Sequence, residues 1–228
     1  MSQEWDEIAL ERYFDLISGN DLSYSDILKP NLLDSFAHCD LTNVLDVGCG
    51  VGVFTEELGI VAQNVLAIDI STRSIEIAKE KSIHKNIMYL RNNLIELPND
   101  LRYTAVISNM TLMTIPDLQI AIQKISSMLN ENGKFIFTIT HPSFWPIYWG
   151  YAAKDDFDYN KETEIVAKFK TRLKTYNHNT RHFHRPLSTY FKLLSSNNFK
   201  IIKFEELRSA NEKQWYPRFI LMVCQKLN

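Results

Sequence analysis

The fold of this chain is decided by the stretch Asn43-Val44-Leu45-Asp46-Val47-Gly48-Cys49-Gly50-Val51-Gly52. Val44, Leu45 and Val47 are typical of a buried parallel strand, and the glycines allow a tight turn in which the backbone comes close to a ligand. The residues that follow, Val53 to Leu58, are compatible with a helix. The pattern therefore predicts a strand, a ligand-binding turn and a helix in succession.

The spacing and charge of this turn indicate which ligand it binds. The glycines follow a Gly-x-Gly-x-Gly spacing, and Val53 stands where the dinucleotide-binding fingerprint has its third glycine. Asp46 precedes the first glycine by two residues. A carboxylate there would repel a pyrophosphate but would favour a cation, such as an ammonium or a sulfonium. The turn is therefore expected to bind a positively charged ligand.

A second acid, Asp69, follows Gly52 by seventeen residues and ends the apolar run Val65 to Ile68. An acid at the carboxyl end of the second strand of a doubly wound sheet accepts hydrogen bonds from ribose hydroxyls. The expected ligand then carries both a ribose and a positive charge. S-adenosylmethionine satisfies both requirements.

Val44 to Gly52, together with Asp69, resemble the glycine-rich motif and ribose-binding acid of the class I S-adenosylmethionine-dependent methyltransferases, of the small-molecule type. The order of the later segments is similar to theirs over residues 40 to 140. The resemblance implies an α/β, Rossmann-like, doubly wound sheet of seven mostly parallel strands with an antiparallel C-terminal hairpin strand. It also implies a set of cofactor-binding residues: Asp46, Gly48, Gly50, Gly52, Asp69, Ile70, Asn93, Leu94 and Asn109. The alternative is a glycine turn that only ends a strand, with Asp69 as a helix cap.

The loop Arg91 to Pro98 follows the third predicted strand, Ile87 to Leu90. In similar methyltransferases this loop offers a side chain to the adenine amino group and a backbone NH to a ring nitrogen, which here implies Asn93 and Leu94. The family usually has Asp at the first position, but the Asn carbonyl oxygen can also accept the adenine NH. The alternative is that Asn93 is an ordinary loop amide.

The fourth predicted strand, Tyr103 to Ser108, is followed by Asn109 at the expected reaction centre. The resembled enzymes that methylate exocyclic amines of nucleic acids carry an Asn-Pro-Pro-Tyr-like tetrad there. The segment Ser108-Asn109-Met110-Thr111 does not match it. DNA is therefore not expected as a partner.

Length and composition limit the remaining possibilities. A chain of 228 residues suffices for one α/β domain, and the charge of -2 provides no overall attraction to nucleic acid. Three scattered cysteines lack metal-ligand spacing, which indicates reduced thiols and no metal site. Met1 to Ser18 is too acidic for a signal peptide, and no apolar run reaches membrane-spanning length. We expect a single methyltransferase domain over residues 1–228, soluble and cytoplasmic, as a monomer or homodimer.

Residues 1–40 are expected to form a helical cover. Apolar residues recur at helical spacing from Trp5 to Leu16, and Ser23 or Ser25 is a candidate cap for a second helix in which Pro30 lies near the start. In the resembled family such helices lie over the cofactor and shape the substrate entrance. Tyr13 is therefore a candidate substrate-binding residue; the alternative is that it is only a half-buried packing residue.

Further along the chain, Ser71 is a plausible helix N-cap, and Pro116 fits the first turn of a later helix. A turn at residues 130–133 should lead into the fifth strand, Phe135 to Thr140. A helix after residue 185 should end at Asn197 or Asn198, and the last two strands, 199–204 and 219–223, should pair antiparallel at a sheet edge across a loop through Trp215 and Pro217.

The segment 141–185 is predicted to be a substrate lid inserted after the fifth strand. It contains ten of the chain's 27 aromatic residues and leaves from the sheet edge at which open α/β folds bind ligands. Its expected substrate-binding residues are His141, Phe144, Trp145, Tyr148 and Trp149.

Residues 167–175 of this segment alternate between basic side chains and others, which predicts a strand with one basic face. The interpretation we favour is an exposed edge protected by lysines; the alternative is a phosphate- or RNA-binding strip. The later cluster His178, His182 and His184 lacks the spacing of a helical metal pair.

His141 is the titratable residue at the end of the fifth strand and the candidate catalytic base. Its ordinary pKa, about 6.5, suits removal of a proton from a hydroxyl or amine. The alternative is that the His-Pro pair only shapes the turn, with the imidazole bonded to backbone.

The function predicted from these patterns is methyl transfer from S-adenosylmethionine to oxygen or nitrogen of a small organic acceptor by in-line displacement. The rivals are an RNA or protein methyltransferase, supported only by the basic strand, and a non-catalytic module that binds S-adenosylmethionine.

Overall fold

The computed structural model describes residues 2–209 and 215–227. The strands in chain order are β1 (Asn43–Val47), β2 (Asn64–Asp69), β3 (Ile87–Arg91), β4 (Tyr103–Asn109), β5 (Leu129–Thr140), β6 (Thr163–Lys170), β7 (Thr175–His184), β8 (Phe199–Leu207) and β9 (Phe219–Lys226). The α-helices are α1 (Ser2–Ile17), α2 (Lys29–Asp34), α3 (Val53–Val61), α4 (Thr72–Lys81), α5 (Leu118–Met128), α6 (Trp145–Trp149) and α7 (Leu187–Ser196).

Seven strands form one sheet in the order β3-β2-β1-β4-β5-β9-β8. The pairs among β1 to β5 are parallel, and β9 runs antiparallel between β5 and β8. The order reverses at β1, so the loops after β1 and β4 diverge and leave a crevice at the carboxyl edge. The predicted Rossmann-like sheet and its antiparallel C-terminal hairpin are confirmed.

The sheet is buried on both faces because its strand residues alternate between two apolar layers. One face packs on α2, α3 and α4 through a core that includes Leu32, Phe54 and Ile75. The other packs on α5 and α7 through residues such as Ile122 and Leu194. This burial places the polar loop residues at the ends of the strands, where a ligand can reach them.

Several predicted helix ends agree with the structure. The Ser71 hydroxyl accepts a hydrogen bond from Ser74 N at 3.0 Å and caps α4. Helix α7 ends with Asn197 as its C-cap, and Asn198 takes the left-handed φ of 58° in place of a glycine.

The prediction that Ser23 or Ser25 caps the second helix is wrong. A π-helical turn, Tyr24–Leu28, leads directly into α2, and Ser23 makes no side-chain capping bond. The Asp21 carboxylate accepts instead from the backbone NH groups of Ser23 and Tyr24, at 3.1 and 3.3 Å. Asp21 is also held by Arg12 at 2.8 Å, a contact with α1 that the local pattern does not contain.

Two other boundaries differ from the prediction. Pro116 lies before α5 rather than in its first turn, because Asp117 is the residue that precedes the helix. The expected turn at residues 130–133 belongs to β5, which begins at Leu129 and continues through Asn132, a residue with a left-handed φ of 62°. A shift of register against β4, between Tyr103 and Ala105, accommodates this irregularity.

Residues 167–175 do not form one basic strand. The chain reverses between β6 and β7, where Thr171 N donates to Lys174 O at 2.8 Å, so β6 and β7 form a separate two-stranded antiparallel sheet. The predicted strand is therefore divided between the end of β6, the turn and the start of β7. Part of another predicted loop, between β8 and β9, falls on residues 210–214, outside the described residues.

None of the helices in the described ranges combines the length and apolar composition that crossing a bilayer requires.

Candidate functional site

A cavity of about 420 Å³ opens at the carboxyl ends of β1, β2 and β4. Its floor comes from the loops that follow these strands, and its roof from α1 and the insertion, residues 141–185. This is the position at which doubly wound sheets bind their ligands. Of the expected site residues, these line it: Asp46, Gly48, Gly50, Asp69, Ile70, Asn93, Leu94, Asn109, Trp145 and Trp149.

The three glycines of the turn have left-handed φ angles but different surroundings. A Cβ at Gly48 would lie 2.2 Å from Thr111 Oγ1, and one at Gly52 would lie 2.8 Å from the Tyr89 hydroxyl. A Cβ at Gly50 would meet nothing within 4 Å. Gly48 and Gly52 are therefore required by internal packing, whereas Gly50 leaves open space at the floor of the cavity. Gly52 itself is not among the residues that line the cavity.

The Asp69 carboxylate is fixed by two backbone groups. Oδ2 accepts from Gly50 N at 2.9 Å, and Oδ1 accepts from Ser71 N at 2.8 Å. Burial raises the pKa of Asp69, while these two hydrogen bonds oppose the shift. Each carboxylate oxygen has a further lone pair, so the group can still accept bonds from two ligand hydroxyls. This geometry fits a ribose.

Asp46 is almost fully buried beneath the same turn. Its Oδ2 accepts a hydrogen bond from Thr55 Oγ1 at 2.7 Å. Burial, together with the neighbouring negative charge of Asp69, raises the pKa of Asp46 to about 7, while the hydrogen bond from Thr55 opposes the shift. A cation placed in the cavity would favour the ionised form and lower this pKa. The two acids make this end of the cavity suited to positive charge.

The loop after β3 presents the expected adenine-binding residues to the cavity. Asn93 precedes a short 3₁₀ turn, Leu94–Glu96, and its side-chain oxygen accepts from Ile95 N at 3.3 Å. Leu94 is buried, and Asn92 also lines this wall. The Asn93 oxygen retains a lone pair for an amino group, although its present bond is local.

The loop after β4 is strained where it reaches the cavity. Met110 has a φ of 57°, and its NH donates to the backbone oxygen and to Oγ1 of Thr138, both at 3.1 Å. The Asn109 side-chain oxygen accepts from Thr138 Oγ1 at 2.7 Å. Left-handed backbone in a long apolar residue is costly and is found mostly at functional sites. The β5 residue Thr138 therefore fixes the loop predicted to lie at the reaction centre.

Helix α1 closes the cavity by binding elements on both sides of it. Its Asp6 accepts from Ser71 Oγ and Arg73 N, at 2.6 and 2.9 Å, at the start of α4. On the other side, Glu4 accepts from Arg181 N at 3.0 Å, and Glu11 pairs with Lys174 at 2.6 Å. The helix therefore joins the sheet domain to the insertion across the ligand site.

Tyr13, Phe144 and Tyr148, three expected substrate-binding residues, are not in the lining. Tyr13 packs on a small apolar cluster between α1 and α4. Phe144 stacks on Tyr216 with ring centroids 5.4 Å apart. Tyr148 lies behind the wall. The aromatic character of the insertion is mostly packing, because Trp145 and Tyr151 belong to the core cluster that also covers one face of the sheet.

His141 lies outside the cavity lining and is almost fully buried. Its Nε2 lies 2.7 Å from Glu206 Oε1, and its Nδ1 accepts from Ser143 N at 3.1 Å. Burial lowers the pKa of His141, while Glu206 opposes the shift. Both ring nitrogens are engaged, so this placement supports the turn-shaping role and not the expected role as base.

Sequence reasoning did not select several polar residues that line the cavity. These are Arg12, Tyr24, Lys170, His182 and Arg218. The arginine within the apolar stripe of α1 was a usable signal for the first, since an arginine on a packed face needs a partner. Lys170 belongs to the basic alternation of residues 167–175, but the pattern does not show which of its basic side chains enters the cavity, and nothing in the local pattern marks Arg218.

In the described ranges, no group of three His, Cys, Asp or Glu side chains is arranged to hold a metal ion. Burial and the neighbouring His184 lower the pKa of His182 to about 4, which keeps this cavity histidine neutral.

A family model described as a methyltransferase domain matches residues 23–203. The chain belongs to this methyltransferase family. The match includes the glycine turn, Asp69, both loops at the cavity floor and the insertion. The resemblance predicted from the glycine motif is confirmed.

Individual proteins show the same relationship at low identity. The malonyl-[acyl-carrier protein] O-methyltransferase of Bacillus anthracis is 28% identical over 133 residues, 57% of this chain and 49% of that protein. Nodulation protein S of Azorhizobium caulinodans is 28% identical over 100 residues, 42% of this chain and 48% of that protein. The alignments therefore span about half the length of these relatives.

A solved S-adenosylmethionine-dependent methyltransferase from Listeria monocytogenes has the same fold. It is 24% identical, with a TM-score of 0.72 over 87% of this chain and 97% of that one.

Proposed function

We propose that this protein is an S-adenosylmethionine-dependent methyltransferase that acts on oxygen or nitrogen of a small organic acceptor. The observation that supports this most strongly is the floor of the cavity, where open space at Gly50 lies beside the bonded carboxylate of Asp69. A ribose can approach the backbone there and bond to Asp69. The buried acid Asp46 below the turn favours a cationic cofactor over a pyrophosphate.

In this proposal Asp46, Gly48, Gly50, Asp69, Ile70, Asn93, Leu94 and Asn109 contact the cofactor, and Gly52 supports the turn from behind. Bound S-adenosylmethionine would supply an activated methyl group on a positively charged sulfur. The chain aligns the acceptor, excludes water and withholds competing nucleophiles. Cys49 does not compete for the methyl group, because burial raises the pKa of its thiol well above the ordinary value and keeps it protonated.

Residues 141–185 act in this proposal as the substrate lid, and residues 1–40 as the cover of one methyltransferase domain. The ion pairs between α1 and β7 support this, since they span the cavity and shield it from water. The cavity of about 420 Å³ lies beneath α1 and the insertion, which suits a small acceptor better than DNA or RNA. The strand that favoured RNA is divided by the turn at Thr171 to Lys174.

The free thiols of Cys39, Cys49 and Cys224 are consistent with a reducing, cytoplasmic compartment.

The first experiment is calorimetric titration of the purified protein with S-adenosylmethionine, followed by incubation of methyl-labelled cofactor with a metabolite extract. Micromolar binding and transfer of label into a small molecule are expected. Absence of cofactor binding would refute the proposal. Binding without transfer to any acceptor, including RNA and protein fractions, would favour a non-catalytic module.

A further inference from the structure

The lining of the cavity separates acidic from basic side chains. Asp46 and Asp69 lie at the glycine turn, whereas Lys170 of β6 and Arg218, just before β9, belong to the opposite wall. The other acids of the lining are Glu4, Asp21 and Asp117. Glu4 is bonded to Arg181, and Asp21 to Arg12, so these two are already neutralised. Lys170 and Arg218 therefore place two positively charged side chains on the wall away from the cofactor site.

Lys170 provides a charge that the described residues do not balance. Its ammonium donates to the Tyr148 carbonyl oxygen at 3.1 Å and lies 4.9 Å from the centroid of the Tyr148 ring. It forms no ion pair with any carboxylate of the described chain. Burial lowers its pKa, and no charged group opposes this shift. A half-buried lysine in this state gains from an anion within reach.

Arg218 places a second cation on the same wall. Its side chain is 1% exposed and its guanidinium lies 4.7 Å from the centroid of the Tyr148 ring, on which Lys170 also rests. It donates to Ser23 Oγ at 3.2 Å. The ring of Tyr148, which is not itself in the lining, thus contacts both cations.

The indole groups of the same wall have unsatisfied donors. The rings of Trp145 and Trp149 are tilted against each other with centroids 5.4 Å apart, and Nε1 of each is buried with no hydrogen-bond partner. The hydroxyl of Tyr24, another lining residue, is also unpartnered. An indole NH can only donate, and a buried donor without a partner costs roughly 1–3 kcal/mol. An acceptor oxygen that reaches this wall would remove part of that cost.

We propose that the methyl acceptor is a small carboxylic acid, whose carboxylate binds Lys170, Arg218 and the indole NH groups of Trp145 and Trp149 while its apolar part lies against the aromatic rings. This inference rests on the proposed function and specifies its substrate class. The single positive charge of Lys170, which no carboxylate of the described residues balances, matches a singly charged planar group, whereas a dianionic phosphate would bring a second charge.

The test measures binding of straight-chain carboxylates of four to ten carbons, together with 3-phenylpropanoate, to protein saturated with S-adenosylhomocysteine. The matched neutral amide of each acid is titrated in parallel by calorimetry. At least one acid should bind at least about tenfold more tightly than its amide. Equal affinity within every pair, or no binding of any acid, would overturn the inference.

Lys170→Met should weaken binding of the preferred acid by about tenfold or more and leave its amide unchanged. The matched control is Lys168→Met, on the same strand but exposed, and it should alter neither affinity. Trp149→Phe keeps an aromatic ring, lacks the NH, and should weaken the acid several-fold. An acid affinity that is unchanged in both Lys170→Met and Trp149→Phe would refute the site.

Phenyl phosphate binding more tightly than 3-phenylpropanoate would overturn the carboxylate assignment in favour of a phosphate-bearing acceptor. Failure of the proposed function and failure of the proposed substrate class give different results. Loss of S-adenosylhomocysteine binding refutes the proposed function, whereas intact cofactor binding without acid selectivity refutes only the substrate class.

Discussion

The burial of Asp46 predicts that Asp46→Asn stabilises the ligand-free protein while weakening its affinity for a cation. Asp46 is 2% exposed and has one polar partner in the described structure, the Thr55 hydroxyl. An amide oxygen can accept the same bond, so the substitution removes the charge and preserves the contact.

The size of the effect follows from the pKa of Asp46, which burial raises from 3.8 to about 7. Because the folded state retains its proton to higher pH than the unfolded state, ionisation favours unfolding as the pH rises from about 4 through 7. At 1.36 kcal/mol per pKa unit, the cost is about 2 kcal/mol at pH 5 and about 4 kcal/mol at pH 8. The variant avoids this cost, so its advantage should grow with pH and level off above about pH 7.

Urea unfolding of cofactor-free wild type and Asp46→Asn, at intervals from pH 5 to pH 8, measures this difference. In parallel, the affinity of the wild type for S-adenosylmethionine should rise over the same range, because the cation binds best to ionised Asp46. S-adenosylhomocysteine lacks the sulfonium charge and should show a weaker pH dependence. A variant that is no more stable than wild type at pH 8 would refute the argument that Asp46 is an uncompensated buried acid.

Three further predictions concern the site. Asp69→Ala should weaken S-adenosylmethionine binding by about 2–3 kcal/mol in calorimetry, the order expected for losing charge-assisted hydrogen bonds; an unchanged dissociation constant would remove the ribose assignment. Gly50→Val should abolish cofactor binding with the far-UV circular dichroism retained, whereas Gly19→Val, which has the same left-handed φ and open surroundings but lies outside the cavity, should bind normally. His141→Gln should lower the unfolding midpoint but keep the methyl-transfer rate within a few-fold of wild type, because His141 bonds Glu206 outside the cavity; a loss of about 10²-fold or more in a folded variant would restore it as the base.

The cofactor half of the site could be predicted because it is encoded locally. The glycine turn and Asp69 each follow an apolar strand, and strands of this kind pair in parallel with their carboxyl ends at one edge. The place of Asp46 or Asp69 at that edge then follows from how many residues separate it from the end of its strand. Ser71 at the start of α4 is a similar case, since a cap acts within one helical turn.

The substrate half could not be predicted from local pattern. His141 follows β5 and Lys170 ends β6, 29 positions later in the chain, and neither position determines the partner of its side chain. The His141 ring bonds to Glu206 of β8. Lys170 faces the cavity beyond an irregularity in β6, which breaks the two-residue period that would place Lys168 and Lys170 on the same face. Both outcomes depend on contacts between distant segments.

The sequence by itself determined the strands of the main sheet, the glycine turn and the two acids beside it, because hydrophobic period, backbone freedom and charge act over a few residues. Only the tertiary structure decided which of the histidines, tryptophans and basic residues of the insertion enter the cavity. A side chain turns toward the neighbouring group that it can bond or toward open space. For residues 141–185 those neighbouring groups belong to α1, β8 and the segment before β9, all distant in the chain.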